Sequence, residues 1–223
     1  MKLLSIQRAR ALWMFHINDL SPSGSAAIRD VVTSAISRYS FNKPTHGPQQ
    51  LGPSQIVSGH LFVAGLFNAP AGNRIEVTLT YTSDALAADT RTSTSDSDDF
   101  LENFLSWTKE EFGWLDHSSI TIRKIYVSEL YVSLDRSLGR INPGIQRLNN
   151  LLAEKIKTPL TQANFDFGAL AFWIDPEQKS RHVPFTIERH KDAPFSDNRY
   201  FSVAPLETTA HLEMIEEVEK LLS

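Results

Sequence analysis

The sequence predicts an α+β fold built from two similar halves, residues 1–117 and 118–223, each running strand, helix, three strands, helix. Three observations carry this prediction. Segments whose side chains alternate between apolar and polar indicate strands, segments with apolar residues at helical spacing indicate helices, and the order of segments is the same in both halves. Joined edge to edge, the halves would form one largely antiparallel, curved sheet with four helices on one face.

The first half opens with a strand and a helix. Residues 6–20 alternate around Trp13, and Ser21 to Ser25 break this strand and can cap the helix that follows. The helix has an apolar stripe from Ile28 to Tyr39. The stretch from Pro44 to Pro53 is rich in proline and glycine, so it is predicted to be an exposed loop.

The rest of the first half reads as a meander followed by a helix. Strands are predicted at 56–64 and 74–82, and a weaker returning strand at 86–92. Residues 92–99 are rich in serine, threonine and aspartate, which indicates a loop that leads into a helix. That helix has an apolar stripe of Phe100, Leu101, Phe104, Leu105 and Phe112, and it ends near Gly113.

The second half repeats this order. A strand region at 120–135 leads to Asn142-Pro143, a capping residue followed by proline at the first helical position. Strands are predicted at 165–174, 183–190 and 199–204, and a last helix starts at Thr208 or Thr209. The apolar stripe of the third helix consists of Ile145, Leu148, Leu151, Leu152 and Ile156.

A weak sequence similarity also relates the two halves. Ile6-Gln7-Arg8 aligns with Ile122-Arg123-Lys124, and the same spacing brings Asp19 onto Asp135. Each of these aspartates ends a first strand and precedes a helix start. Repeats of this kind indicate a duplicated fold, although chance agreement is the alternative at this level of identity.

Composition narrows the classes of protein. The 223 residues are 41% hydrophobic and 22% charged, an ordinary mixture for a globular chain. The net charge of −4 makes a general nucleic-acid binder unexpected. Without cysteine, the chain has no disulfide, thiolate metal site or cysteine nucleophile. Arg8 and Arg10 interrupt any signal peptide, and no apolar run approaches the roughly 20 residues of a membrane span, so a cytoplasmic location without membrane contact is expected.

No catalytic motif is present. The sequence lacks the phosphate-binding loop, the dinucleotide fingerprint, the hydrolase nucleophile elbow and the helical zinc motif. We therefore expect a non-catalytic binding or assembly module, without cofactor, metal or catalytic residues. Its helix-free sheet face would contact a partner protein, a second copy or a small ligand.

The residues of one predicted strand support binding at that face. Residues 165–174 are apolar on both sides, whereas a sheet with one wet face should alternate. Either this is a central strand covered by the chain itself, or a ligand or partner covers it. The candidate binding residues are Arg10, His16, His60, Glu129, Phe167 and Trp173.

Two alternatives stay open. The first is an enzyme of unfamiliar type, with a cleft between the halves in which Arg10, His16, His60 and Glu129 would converge. The second is contact with phosphate groups through basic residues at the two ends of the strand at 183–190, although solubilising charge is the favoured interpretation. Those basic residues are Lys179, Arg181, His182, Arg189, His190 and Lys191.

Overall fold

A computed structural model describes residues 1–21, 25–42, 44–52, 55–156, 164–178 and 183–222. The described strands are β1 (Lys2–Met14), β2 (Thr45–Gly52), β3 (Gln55–Asn68), β4 (Arg74–Thr82), β5 (Ala85–Thr90), β6 (Arg123–Ser133), β7 (Ala169–Phe172), β8 (Phe185–Arg189) and β9 (Arg199–Ala204). The described helices are α1 (Ser25–Tyr39), α2 (Thr94–Phe112), α3 (Pro143–Lys155) and α4 (Thr208–Leu221).

The strands form one curved, open sheet in the order β2-β3-β4-β5-β1-β6-β9-β8-β7, and every neighbouring pair is antiparallel. The predicted α+β class is confirmed. The first strands of the two halves, β1 and β6, pair at the centre, where Ala9 lies opposite Ser128. Each half contributes one outer edge, β2 or β7. The predicted boundary between residues 117 and 118 lies in the connection from α2 to β6 and stays a prediction.

Two predicted loops are wrong. Residues 45–52, inside the predicted loop from Pro44 to Pro53, form β2, which pairs with β3 as a long hairpin. Hydrogen bonding to β3 explains why a segment rich in glycine and proline is extended there. Most of the predicted loop at 92–99 belongs to α2, because Ser93 caps the helix by accepting a hydrogen bond from the backbone of Asp96.

Apolar side chains of the sheet and helices form two cores on one side of the sheet. The larger core lies between α1, α2 and the strands of the first half, and its fully buried side chains include Trp13, Phe62, Leu79, Phe100 and Phe104. The smaller core lies between α4 and the strands of the second half and includes Leu130, Ile187, Tyr200 and Ile215. The other side of the sheet is the helix-free face.

Candidate functional site

A charged cluster occupies the helix-free face where the two halves meet. Side chains alternate along β1, so Trp13 faces the helices while Arg8 and Arg10 face away from them. Arg10 binds Asp89 of β5 with two parallel hydrogen bonds, from Nε to Oδ1 at 2.7 Å and from Nη2 to Oδ2 at 2.6 Å. Arg8 binds Glu129, which lies directly opposite it on β6. These ion pairs tie β1 to both of its neighbours.

The electrostatics of this cluster are balanced. Burial lowers the pKa of Arg10, but the hydrogen bonds that Arg10 donates to Asp89 and the charges of Asp89 and Glu129 outweigh it and raise the pKa. The adjoining depression, about 290 Å³, is lined by residues of both signs, Arg8 and Arg91 beside Glu76 and Asp89. Because opposite charges neutralise each other there, the cluster is suited to joining the halves rather than to capturing a charged ligand.

The structure does not bring the four residues of the enzyme hypothesis together. Arg10 and Glu129 share the central cluster. His16 follows the end of β1, where its Nδ1 lies 2.7 Å from Asp84, and its side chain is exposed. His60 of β3 lies opposite Tyr81 of β4, which belongs to the larger core. Because paired residues share a face, His60 faces the helix side of the sheet. Side chains on opposite faces of a sheet cannot act on one substrate.

His60 has a different neighbour. Its ring lies 4.6 Å from that of His46 on β2, centre to centre. Burial and the neighbouring His46 both lower the pKa of His60. Two imidazoles alone do not complete a metal site, and among the described residues no three histidine, aspartate or glutamate side chains are arranged to hold an ion.

The helix-free face of the first half contains a small buried apolar cluster. Leu12, Ala85 and Ala87 are buried there and pack with Met14 and Ile125. A partner or ligand therefore finds little apolar surface where these five residues pack together. Among the described residues, the two most exposed large apolar side chains, Trp173 and Leu221, lie in the second half.

The strand predicted at 165–174 lies at the outer edge of the sheet rather than at its centre. Only Ala169–Phe172 are strand, paired with β8 on one side. The interpretation as a covered central strand is therefore wrong. Phe172 is 56% exposed and Trp173 77% exposed, so the described part of the chain leaves these two apolar side chains largely uncovered.

Phe167 and Trp173, the two aromatic candidates, have different environments. Phe167 is half-buried and packs against the smaller core. Trp173, in contrast, directly follows β7 and is mostly in solvent. Of the two, only Trp173 is open to a partner.

Some backbone groups of β7 have no hydrogen-bonding partner among the described residues. The amide of Arg189 donates to the carbonyl of Gly168 at 2.7 Å. Since bonded and non-bonded pairs alternate in an antiparallel ladder, the next bonded pairs involve Leu170 and Phe172. The N–H and C=O groups of Ala169 and Ala171 therefore point away from β8, toward the free edge.

Sequence reasoning missed the apolar face of α3. An apolar stripe usually packs inward, but Leu148, Leu151, Leu152 and Ile156 are all exposed, Leu148 to 60%, and Asn149 is the buried residue of this helix. Helical spacing reveals an apolar stripe but not the surface that it meets. The residues of this stripe therefore do not reveal from the sequence that the stripe is exposed.

The structure describes three of the six basic residues proposed for phosphate contact, and one of these three is not available. Arg189 is buried and paired with Asp166, so it is not available to a phosphate. His190 lies beside Tyr131, with 5.2 Å between ring centres. Lys179, Arg181 and His182 lie outside the described residues.

No protein-family model matches this sequence, and none of the curated proteins is significantly similar to it. Among the described helices, none combines the length and the apolar character needed to cross a bilayer.

Proposed function

We propose that this protein is a non-catalytic assembly module that pairs with a second copy of itself through β7. The observation that carries the proposal is the outer edge of the second half, where exposed apolar side chains and unpaired backbone groups coincide. An added strand satisfies the backbone groups, and the side chains around them supply the apolar contact area.

The two edges of the sheet differ in how they are protected. On β2, Pro48 lacks an N–H donor and two glycines weaken strand pairing, as expected of an edge that avoids partners. On β7, no charged residue or proline occurs from Phe167 to Ile174. Natural proteins rarely leave such an edge unprotected unless another chain covers it.

A second copy is the occupant that fits this edge. All neighbouring strands are antiparallel, and two identical strands related by a two-fold axis also pair antiparallel, which extends the same sheet. The same rotation places the apolar side chains of the two β7 strands next to each other. A strand from a different protein would meet the same backbone groups, and the test below distinguishes the two occupants.

Sedimentation equilibrium over a range of concentrations tests this proposal. The wild type is expected to dimerise. Trp173→Glu is expected to weaken the dimer by about thirtyfold, equivalent to about 2 kcal/mol for an aromatic anchor. Leu115→Glu is the matched control, because Leu115 is also an exposed apolar residue, 52% accessible, but follows α2 in the first half.

Two results would overturn self-association. A wild type that stays monomeric at the highest concentrations leaves a different protein as the occupant of β7. A dimer that Trp173→Glu and Leu115→Glu affect equally has its interface elsewhere.

A further inference from the structure

A separate cavity of about 560 Å³ opens in the second half, between the start of α3, the segment before β7 and the turn before β9. Its volume lies within the roughly 300–1,000 Å³ of small-molecule sites. The lining residues that matter for recognition are Ser137, Arg140, Gln146, Phe165, Asp166 and Phe195.

One wall of the cavity is rigid and electrically neutral. The Asp166 carboxylate accepts hydrogen bonds from the Ser137 hydroxyl at 2.8 Å, from the backbone of Phe167 at 2.8 Å, and from Arg189. The Arg189 side chain is only 7% exposed, and it also donates to the Tyr200 hydroxyl at 3.0 Å. Because these donors occupy the Asp166 oxygens, the carboxylate is not free to hold a cation.

Two phenylalanines make the cavity apolar. Phe165 is half-buried, and Phe195 is 45% exposed at the cavity surface. The guanidinium of Arg189 lies over the ring of Phe195, 4.9 Å from its centre, which holds that ring in place. An aromatic or flat apolar body is the ligand part that such rings accommodate.

The remaining charge of the cavity is positive. Arg140 is exposed at the cavity, and within the described part of the chain no carboxylate forms an ion pair with it. Asp166 is balanced by Arg189, so the Arg140 guanidinium is the uncompensated charge of the lining. A carboxylate or sulfonate is the group that a guanidinium binds with two parallel hydrogen bonds.

We infer that this cavity binds a small organic anion with a flat apolar body, its charged group toward Arg140 and its body against Phe165 and Phe195. The site is distinct from the β7 edge and does not depend on self-association. Binding of such a ligand would be a second function, which the proposed assembly role does not require.

Isothermal titration calorimetry with 2-naphthoate tests the inference on the chain of 223 residues. The Trp173→Glu background keeps dimerisation out of the measurement. We expect one site per chain, with affinity reduced about tenfold by Arg140→Gln, as for loss of a charge-assisted pair. Arg147→Gln is the matched control, since Arg147 is an exposed arginine of the same helix region that does not line the cavity.

Neutral 2-naphthol separates charge from shape. It is expected to bind about tenfold more weakly than 2-naphthoate, and equally to the wild-type and Arg140→Gln cavities. Equal effects of Arg140→Gln and Arg147→Gln on 2-naphthoate would overturn the inference. So would an absence of binding at millimolar ligand while the circular dichroism spectrum is that of the folded chain.

Discussion

Thr94 and Thr208 hydrogen-bond to each other reciprocally at the junction of the two halves. The backbone N–H of Thr94 donates to Oγ1 of Thr208 at 3.0 Å, and the N–H of Thr208 donates to Oγ1 of Thr94 at 2.9 Å. They are the first residues of α2 and α4 and lie 114 residues apart in the chain. An exchange of identical bonds is what a two-fold relation between the halves produces.

We expect Thr94→Val and Thr208→Val to destabilise the protein by similar amounts, about 1–2 kcal/mol each. Each variant removes one hydroxyl acceptor and leaves the opposite buried N–H without a partner. Urea unfolding measures the loss. Thr33→Val is the control, because its hydroxyl bonds within an exposed part of α1. Clearly unequal losses would contradict a symmetrical contact.

We expect His211 of α4 to make the free energy of unfolding depend on pH. Its side chain is fully buried between two serines. Nδ1 lies 2.6 Å from Oγ of Ser128, and Nε2 lies 2.7 Å from Oγ of Ser202. Ser202 donates its proton to the carbonyl of Thr186, so it accepts from Nε2, and Nδ1 accepts from Ser128. Burial lowers the pKa of His211 to about 4, since a charged imidazole would lose its hydration.

A histidine with a lowered pKa binds protons more readily in the unfolded chain. Its contribution to stability is therefore complete above pH of about 6.5 and is lost as the pH falls toward 4. The loss amounts to about 3 kcal/mol near pH 4. We expect the free energy of unfolding of His211→Gln to fall less steeply than that of the wild type over this range. Parallel pH profiles would show that the imidazole does not titrate on unfolding.

Replacing only one residue of the ion pair between Arg10 and Asp89 is expected to lower the free energy of unfolding strongly. Asp89→Asn leaves the Arg10 guanidinium largely buried beside a neutral partner, and we expect a loss of about 3 kcal/mol. Replacing both residues by apolar ones, as in Arg10→Met with Asp89→Leu, is expected to cost less than the single change. Chemical unfolding of both variants measures the difference. If the double variant is the less stable of the two, the pair stabilises the fold by more than it costs to bury.

Lys109→Gln is the surface control for this comparison. Lys109 and Asp116 form an exposed pair, so its removal is expected to change stability little.

Ala171→Pro is expected to prevent β7 from pairing with a second copy without disrupting the fold. The Ala171 amide points to the free edge, so proline removes a donor that β8 does not use. Sedimentation equilibrium is expected to show a monomer. Thermal unfolding is expected to give the same midpoint as for the Trp173→Glu variant. A dimer as strong as the wild type would exclude backbone pairing at this edge.

Local sequence signals predicted several elements closely. The alternation in β4 and β9 matches the observed bounds, and Asn142 caps α3 through a 2.8 Å bond from the amide of Gly144. Gly113 ends α2 in the left-handed conformation, with φ of 66°. Each of these features depends on residues close in the chain, so the pattern alone predicts it.

The candidate site was predicted less well, because its residues depend on distant parts of the chain. Arg10 and Glu129 share a cluster only because β1 and β6 pair in one register. His60 faces the helix side, where it meets His46 of a strand that was expected to be a loop. Neither partner is visible in the local spacing of polar residues.

The sequence by itself determined the α+β class, most helices and strands, and the apolar character of the segment around Trp173, since these follow from periodicity and turn chemistry. Tertiary structure alone decided that β7 is an edge and that the stripe of α3 is exposed. The physical reason is that an apolar residue has the same local pattern whether the chain buries it or leaves it for a partner. Strand order and packing, set by contacts between distant residues, determine which of these happens.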